Sequence, residues 1–163
     1  MIITVVSTTG TGKTLLSSFD DALKQAGVYN YNLIALSSVI PTGSTIKKSK
    51  HYITPPEECG YRLYVVKAEA YTSNSQKAIA AGVGWYQFKN NAGIFVEHHI
   101  EGLTAKSAKD ALIDTIYTSL SDLCEFRGQK FHKKRAGISI AVSPPAGGNR
   151  CALTLAVYKS EPW

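Results

Sequence analysis

The chain reads as an α+β protein. Two observations carry that reading. Apolar runs of strand character recur from Ile2 to Tyr158, and only two segments repeat their apolar residues at helical spacing. Its 163 residues are also enough for one sizeable core, and neither an internal repeat nor a break in composition marks a second domain. Residues 1–163 are therefore expected to form a single domain.

The elements follow in order. Met1-Ile2-Ile3-Thr4-Val5-Val6 lacks the basic start and long apolar stretch of a secretion signal, and reads as a strand near 2–7. Thr8 to Thr14 reads as a Gly-rich loop. A helix is expected from Leu15 or Ser18 to about Ala26, with Ser18 as N-cap, Asp20 and Asp21 in the first turn, and Gly27 as its stop. Residues near 31–38 read as a largely buried strand, and Pro41 weakens pairing beyond it. Residues 41–60 contain Pro41, Gly43, Pro55, Pro56 and Gly60 and read as a long irregular connection.

Three more strands are expected, over 61–71, 76–88 and 92–99. The second is bent or closely packed at Gly82 and Gly84. The strongest helix starts at the cap Thr104 and runs to about Phe126, returning Ala108, Leu112, Ile116, Leu120 and Leu123 to one face. Strands over 136–143 and 151–158 close the chain around a Pro/Gly turn at 144–149.

Composition excludes several classes. No apolar run approaches the ~20 residues that span a membrane, so no membrane association is expected. Cys59, Cys124 and Cys151 are odd in number and lack metal-ligand spacing, which favours free thiols in a cytoplasmic protein without a metal site. The net charge of +6 gathers at Lys47, Lys48 and Lys50, and at Lys130, Lys133, Lys134 and Arg135 around His132. No nucleic-acid motif or aromatic ladder accompanies these clusters, so they read as solvated loops and no nucleic-acid partner is expected. A cationic substrate gains no attraction from a basic protein, and local carboxylates must recognise it.

One alternative is a nucleotide- or nucleic-acid-binding protein. Ser7-Thr8-Thr9-Gly10-Thr11-Gly12-Lys13-Thr14 resembles a phosphate-binding loop, with backbone amides, a lysine and a hydroxyl for magnesium. Ser7 replaces its first glycine, and the next strand ends in Ser37-Ser38 rather than in an aspartate. His98 and His99 are adjacent on a strand, point to opposite faces and cannot hold one metal together.

Ser37-Ser38 carries the chemistry. The Ser38 hydroxyl can attack the Ser37 carbonyl and turn the amide into an ester. Loss of the Ser38 α-proton eliminates that ester, and the remaining dehydroalanine hydrolyses to a pyruvoyl group. By itself a Ser-Ser pair is common, and the plain reading is two hydroxyls bonded to nearby backbone.

The surroundings of the pair are more specific. Phe19-Asp20-Asp21-Ala22-Leu23-Lys24-Gln25-Ala26-Gly27, then Asn32-Leu33-Ile34, then Ser37-Ser38-Val39-Ile40-Pro41, resemble the pyruvoyl-dependent arginine decarboxylases. Ala92-Gly93-Ile94-Phe95-Val96-Glu97 is similar to a second block of that family. The resemblance implies a four-layer αββα sandwich, self-cleaved into residues 1–37 and 38–163, assembled as a homotrimer or a dimer of trimers. It implies a pyruvoyl cofactor derived from Ser38, which converts L-arginine to agmatine and carbon dioxide through a Schiff base. Glu97 would be the proton donor and Asn32 would assist self-cleavage. Asp20 would pair with the guanidinium, and Leu16, Ser37 and Val39 would line the substrate channel. In that family the site lies between protomers. A decarboxylase of another amino acid is the alternative within the class. Tyr29 and Tyr31 stand where smaller residues are expected and would narrow the pocket.

Overall fold

A computed structural model describes residues Met1–Trp163. Its strands are β1 (Ile2–Gly12), β2 (Asn32–Ala35), β3 (Val39–Ile40), β4 (Thr45–Ser49), β5 (Arg62–Thr72), β6 (Ala78–Gln87), β7 (Gly93–Gly102), β8 (Gly137–Ser143) and β9 (Asn149–Glu161). The helices are α1 (Leu15–Ala26) and α2 (Ala105–Glu125). Five strands form one sheet in the order β2-β5-β9-β1-β4, and four form another in the order β3-β7-β6-β8. Only β1–β4 and β2–β5 pair in parallel. The result is a single α+β domain.

Three apolar clusters hold these parts. Ile3, Val5 and Val66 of the five-stranded sheet meet Ile79, Val83 and Phe95 of the four-stranded sheet. Ala22, Leu23 and Ala26 of α1 cover Val6, Leu153 and Leu155. Ala108, Leu112, Ile116 and Leu120 of α2 are fully buried against Ala78, Ala80 and Val96. The face of α2 is the one its spacing predicts, with Thr104 as cap.

The start of the chain departs from the expectation. β1 does not stop near residue 7, because Thr4 to Gly12 pair antiparallel with β9. Gly10 therefore lies in a strand under α1, and a Cβ there would meet Ser18 O at 2.2 Å and Ala22 N at 2.3 Å. The glycine is present for close packing and not to cradle a phosphate. Thr14, not Ser18, caps α1, accepting from the Ser17 amide in a capping box. Ser18 is buried and bonds back to Leu15 O, and Asp20 and Asp21 fall beyond the first turn.

Two other segments differ. The connection over 41–60 contains β4, a parallel edge strand beside β1, and a short 3₁₀ turn at Pro56–Glu58. The expected buried strand over 31–38 is divided. Asn32–Ala35 lie at the edge of one sheet, Val39–Ile40 at the edge of the other, and the serines cross between them. An edge position leaves Asn32, Ala35, Ser37 and Val39 exposed in the single chain.

Gly84 is closely packed as the sequence suggests, since a Cβ there would lie 2.2 Å from Ile116 Cγ2. Lys48, Lys133 and Arg135 of the basic clusters lie over the rings of Trp85, Tyr117 and Tyr86. Cys59, Cys124 and Cys151 are unpaired. No helix is long and apolar enough to cross a membrane.

The packing of β1 under α1 predicts unequal costs. Gly10→Ala should lower the unfolding free energy by about 3 kcal/mol, because backbone must move. Thr14→Ala should cost about 1 kcal/mol, the usual value of an N-cap. Urea denaturation of both variants checks this, and a Gly10→Ala loss no larger than that of Thr14→Ala would contradict the close approach.

Candidate active site

The site forms where the chain changes sheets. On the near side of the serines, the Leu36 N–H donates to Val65 O of β5 at 2.9 Å. On the far side, the Phe95 N–H of β7 donates to Ser38 O at 2.8 Å. Val39 and Ile40 then pair with Ile94 and Gly93. The crossing residue Ser38 takes φ 64°, in the left-handed region. For a residue with a Cβ this conformation costs about 1–3 kcal/mol, and the surrounding bonds must hold it.

That backbone aims the Ser38 hydroxyl at Glu97. Its Oγ lies 2.8 Å from both Glu97 carboxylate oxygens, to which it donates. Glu97 stands on β7 opposite Val83 of β6, so a paired strand fixes its backbone. Both residues open into a cavity of about 370 Å³, walled by His98, by Ser119 and Asp122 of α2, and by Phe126 just beyond that helix. The cavity combines a hydroxyl on a strained peptide, a carboxylate in contact with it, and space for a small molecule.

Two neighbours complete the site. The His98 ring nitrogen Nε2 lies 2.8 Å from Ser119 Oγ on α2. Burial pulls the His98 pKa below its ordinary value of 6.5, with His99 adding to the effect and the Glu97 charge opposing it. The Tyr158 hydroxyl donates to Val39 O at 2.9 Å, and its ring meets Phe95 edge-on at 6.1 Å. Burial, and after it the charge of Glu97, push the Tyr158 phenol up, so it is a neutral donor.

The sequence-derived residues divide into two groups. Ser37, Ser38, Val39 and Glu97 are together. Val39, next to Ser38 in the chain, is 57% exposed. Leu16, Asp20 and Asn32 are elsewhere in this chain. Leu16 and Asp20 lie on α1, which packs against the five-stranded sheet, and Leu16 is 76% exposed. Asp21 is committed locally, accepting from the Thr11 N–H at 2.9 Å, whereas Asp20 is exposed. Asn32 starts β2 and donates to Gly60 O at 2.6 Å. The tyrosines do not narrow this cavity. Tyr31 is buried and donates to Glu58, and Tyr29 lines a separate cavity with His51 and Pro55.

Sequence reasoning missed Tyr158 and the α2 wall. Tyr158 reads as the last residue of a strand, and its partner is 119 positions away, so no local pattern marks it. The α2 wall had a signal in part: Leu123 closes the expected apolar face, and Phe126 marks the expected end of that helix.

His98 gives a pH prediction. Its folded pKa is depressed, so the stability it supports is present above its ordinary 6.5 and is lost as pH falls through the lower folded value. His98→Asn should flatten that part of the acid limb of the stability curve. Thermal melts from pH 7.5 down to 5 check this, and a limb unchanged by the substitution would contradict it.

Comparison with known proteins identifies the family. A family model described as pyruvoyl-dependent arginine decarboxylase matches residues 2–162. A protein of that name from Methanococcoides burtonii is 34% identical over 108 residues, which are 64% of this chain and 58% of that protein. One from Halobacterium salinarum is 29% identical over 154 residues, covering 91% of this chain and 88% of its own. One from Methanococcus vannielii is 29% identical over 157 residues, covering 94% and 87%. With a hydroxyl-carboxylate pair at the Ser37-Ser38 crossing and a family match over nearly its whole length, the chain belongs to the pyruvoyl-dependent arginine decarboxylase family.

Proposed function

We propose that this chain is a self-processing decarboxylase that converts L-arginine to agmatine and carbon dioxide. The observation that carries the reading is the Ser38 hydroxyl, held on Glu97 at 2.8 Å by a residue in the left-handed region. Decarboxylation leaves a carbanion, and no ordinary side chain is an electron sink for it. The Ser37-Ser38 pair makes one from the chain itself.

Self-cleavage proceeds at the crossing. Ser38 Oγ attacks the Ser37 carbonyl carbon, the Ser37–Ser38 C–N bond breaks, and an ester links the residues. Loss of the Ser38 α-proton expels the Ser37 carboxylate and leaves dehydroalanine, which water converts to the pyruvoyl group with release of ammonia. Relief of the φ 64° strain at Ser38 favours the cut. Asn32, which bonds Gly60 O within its own chain, would assist from a neighbouring copy by binding the oxyanion that develops on Ser37 O.

The residues present fit the group. The pyruvoyl ketone supplies an electrophile for the substrate amine, and the amide carbonyl beside it accepts the electrons released with carbon dioxide. That carbonyl is Ser38 O, on which the Phe95 N–H already sits at 2.8 Å. A backbone donor there stabilises the negative charge that the oxygen gains. Glu97 then delivers the proton to the substrate α-carbon.

The separation of α1 from the cavity supports assembly. Leu16 is exposed on α1, Val39 is exposed beside Ser38, and Asp20 has no carboxylate duty within its own chain. A neighbouring copy that set α1 over the cavity would cover both apolar residues and bring Asp20 to the guanidinium. A planar fork and a carboxylate match bidentately there. The reading is thus a four-layer αββα sandwich, with α1 and α2 outermost, in a homotrimer or a dimer of trimers. Three unpaired cysteines suit a cytoplasmic protein.

Mass spectrometry of the purified protein tests self-cleavage. Chains 1–37 and 38–163 are expected, the second lighter by the mass of ammonia than simple hydrolysis would leave it. Ser38→Ala should give one uncut chain. Glu97→Gln keeps an acceptor for the Ser38 hydroxyl and should still be cut, yet lose about 10²-fold or more in turnover. A Ser38→Ala chain that splits, or a cut Glu97→Gln protein with near-normal turnover, would refute these roles.

Substrate choice is a separate test. Arginine should be decarboxylated well ahead of lysine, which keeps the charge and loses the fork. Asp20→Asn should raise KM for arginine and narrow its margin over uncharged amino acids, with self-cleavage unaffected. An unchanged preference would remove Asp20 from the site.

A further inference from the structure

We infer that Tyr158 is the positioning residue that seats residue 38 beside Glu97, before the chain is cut and after it. The inference rests on the self-cleavage reading above. Residue 38 is held through its backbone on one side by β5, through Leu36, and on the other by β7, through Phe95. Cleavage removes the first hold. Residue 38 then becomes the end of a chain whose first strand, β3, is two residues long.

Tyr158 supplies the missing hold. It stands on β9 of the five-stranded sheet, and its hydroxyl crosses to donate to Val39 O at 2.9 Å. Val39 follows residue 38 directly, and this bond fixes the Val39–Ile40 peptide, one residue beyond the new chain end. Its ring packs edge-on against Phe95 at 6.1 Å, the residue whose N–H holds Ser38 O. One side chain thus braces the residue that follows position 38 and the residue that holds its carbonyl. The phenol remains a donor across the neutral range, since burial and the Glu97 charge both oppose its ionisation.

Tyr158→Phe removes the hydroxyl and keeps the ring, so the packing on Phe95 survives. Two rates are read: splitting of the new chain on a denaturing gel, and turnover of the fully cut protein. Loss of one neutral hydrogen bond should slow each about fivefold, with KM within about twofold. Tyr64→Phe is the control, since its hydroxyl donates to Glu161 Oε2 at 2.7 Å on β9, away from the cavity. Tyr64→Phe should lose stability alone. If Tyr158→Phe behaves like Tyr64→Phe, with either rate at the wild-type value, the inference is overturned. A wild-type chain that never splits would instead sink the self-cleavage reading on which it rests.

Discussion

The arrangement depends on one peptide bond, that between Ser37 and Ser38, which has to pass from one sheet to the other. Hydrogen bonds to Val65 and from Phe95 secure the chain on either side of it. Neither sheet can give without losing ladder bonds, so the conformational cost settles on Ser38. The same crossing directs the Ser38 hydroxyl at a carboxylate on β7. Strain and orientation therefore have a common origin in the topology, and a local substitution that relaxed one would disturb the other.

The fold was legible where local pattern and tertiary contact coincide. The long helix is the clear case, since Ala108, Leu112, Ile116 and Leu120 repeat at helical spacing and are all buried. It failed where glycine served packing rather than a turn. Gly10 and Gly12 suggested a loop, yet they allow α1 to lie close over β1. Thr45-Ile46-Lys47-Lys48-Ser49 carries no apolar alternation to mark it, because an edge strand beside β1 needs only one face in contact. The Leu33–Leu36 run read as buried for the converse reason: its apolar character belongs to a surface that the single chain leaves half exposed.

The site was legible only in part. Ser38 and Glu97 are chemically conspicuous, and the family resemblance paired them across 59 positions of chain, a contact that the hydrogen bond makes explicit. Tyr158 carries no such mark. A tyrosine at a strand end is ordinary in sequence, and its role arises from a carbonyl that only the packing of two sheets brings near. Asp20 illustrates a different limit. The sequence distinguishes it from Asp21 by resemblance alone, whereas the structure shows Asp21 engaged with Thr11 and Asp20 free.

The position of β1 carries a consequence for the proposed cut. Residues 1–37 are no detachable leader. They supply β1, which lies between β9 and β4 and sends Ile3 and Val5 into the core between the sheets. Once cut as proposed, the molecule would be held together without a covalent link across its own centre. Unfolding would then become a dissociation, and recovery would depend on the concentration of two fragments that must find each other. The information to fold would then reside in the uncut precursor, and the cut form would inherit a shape that it has no unimolecular route to regain.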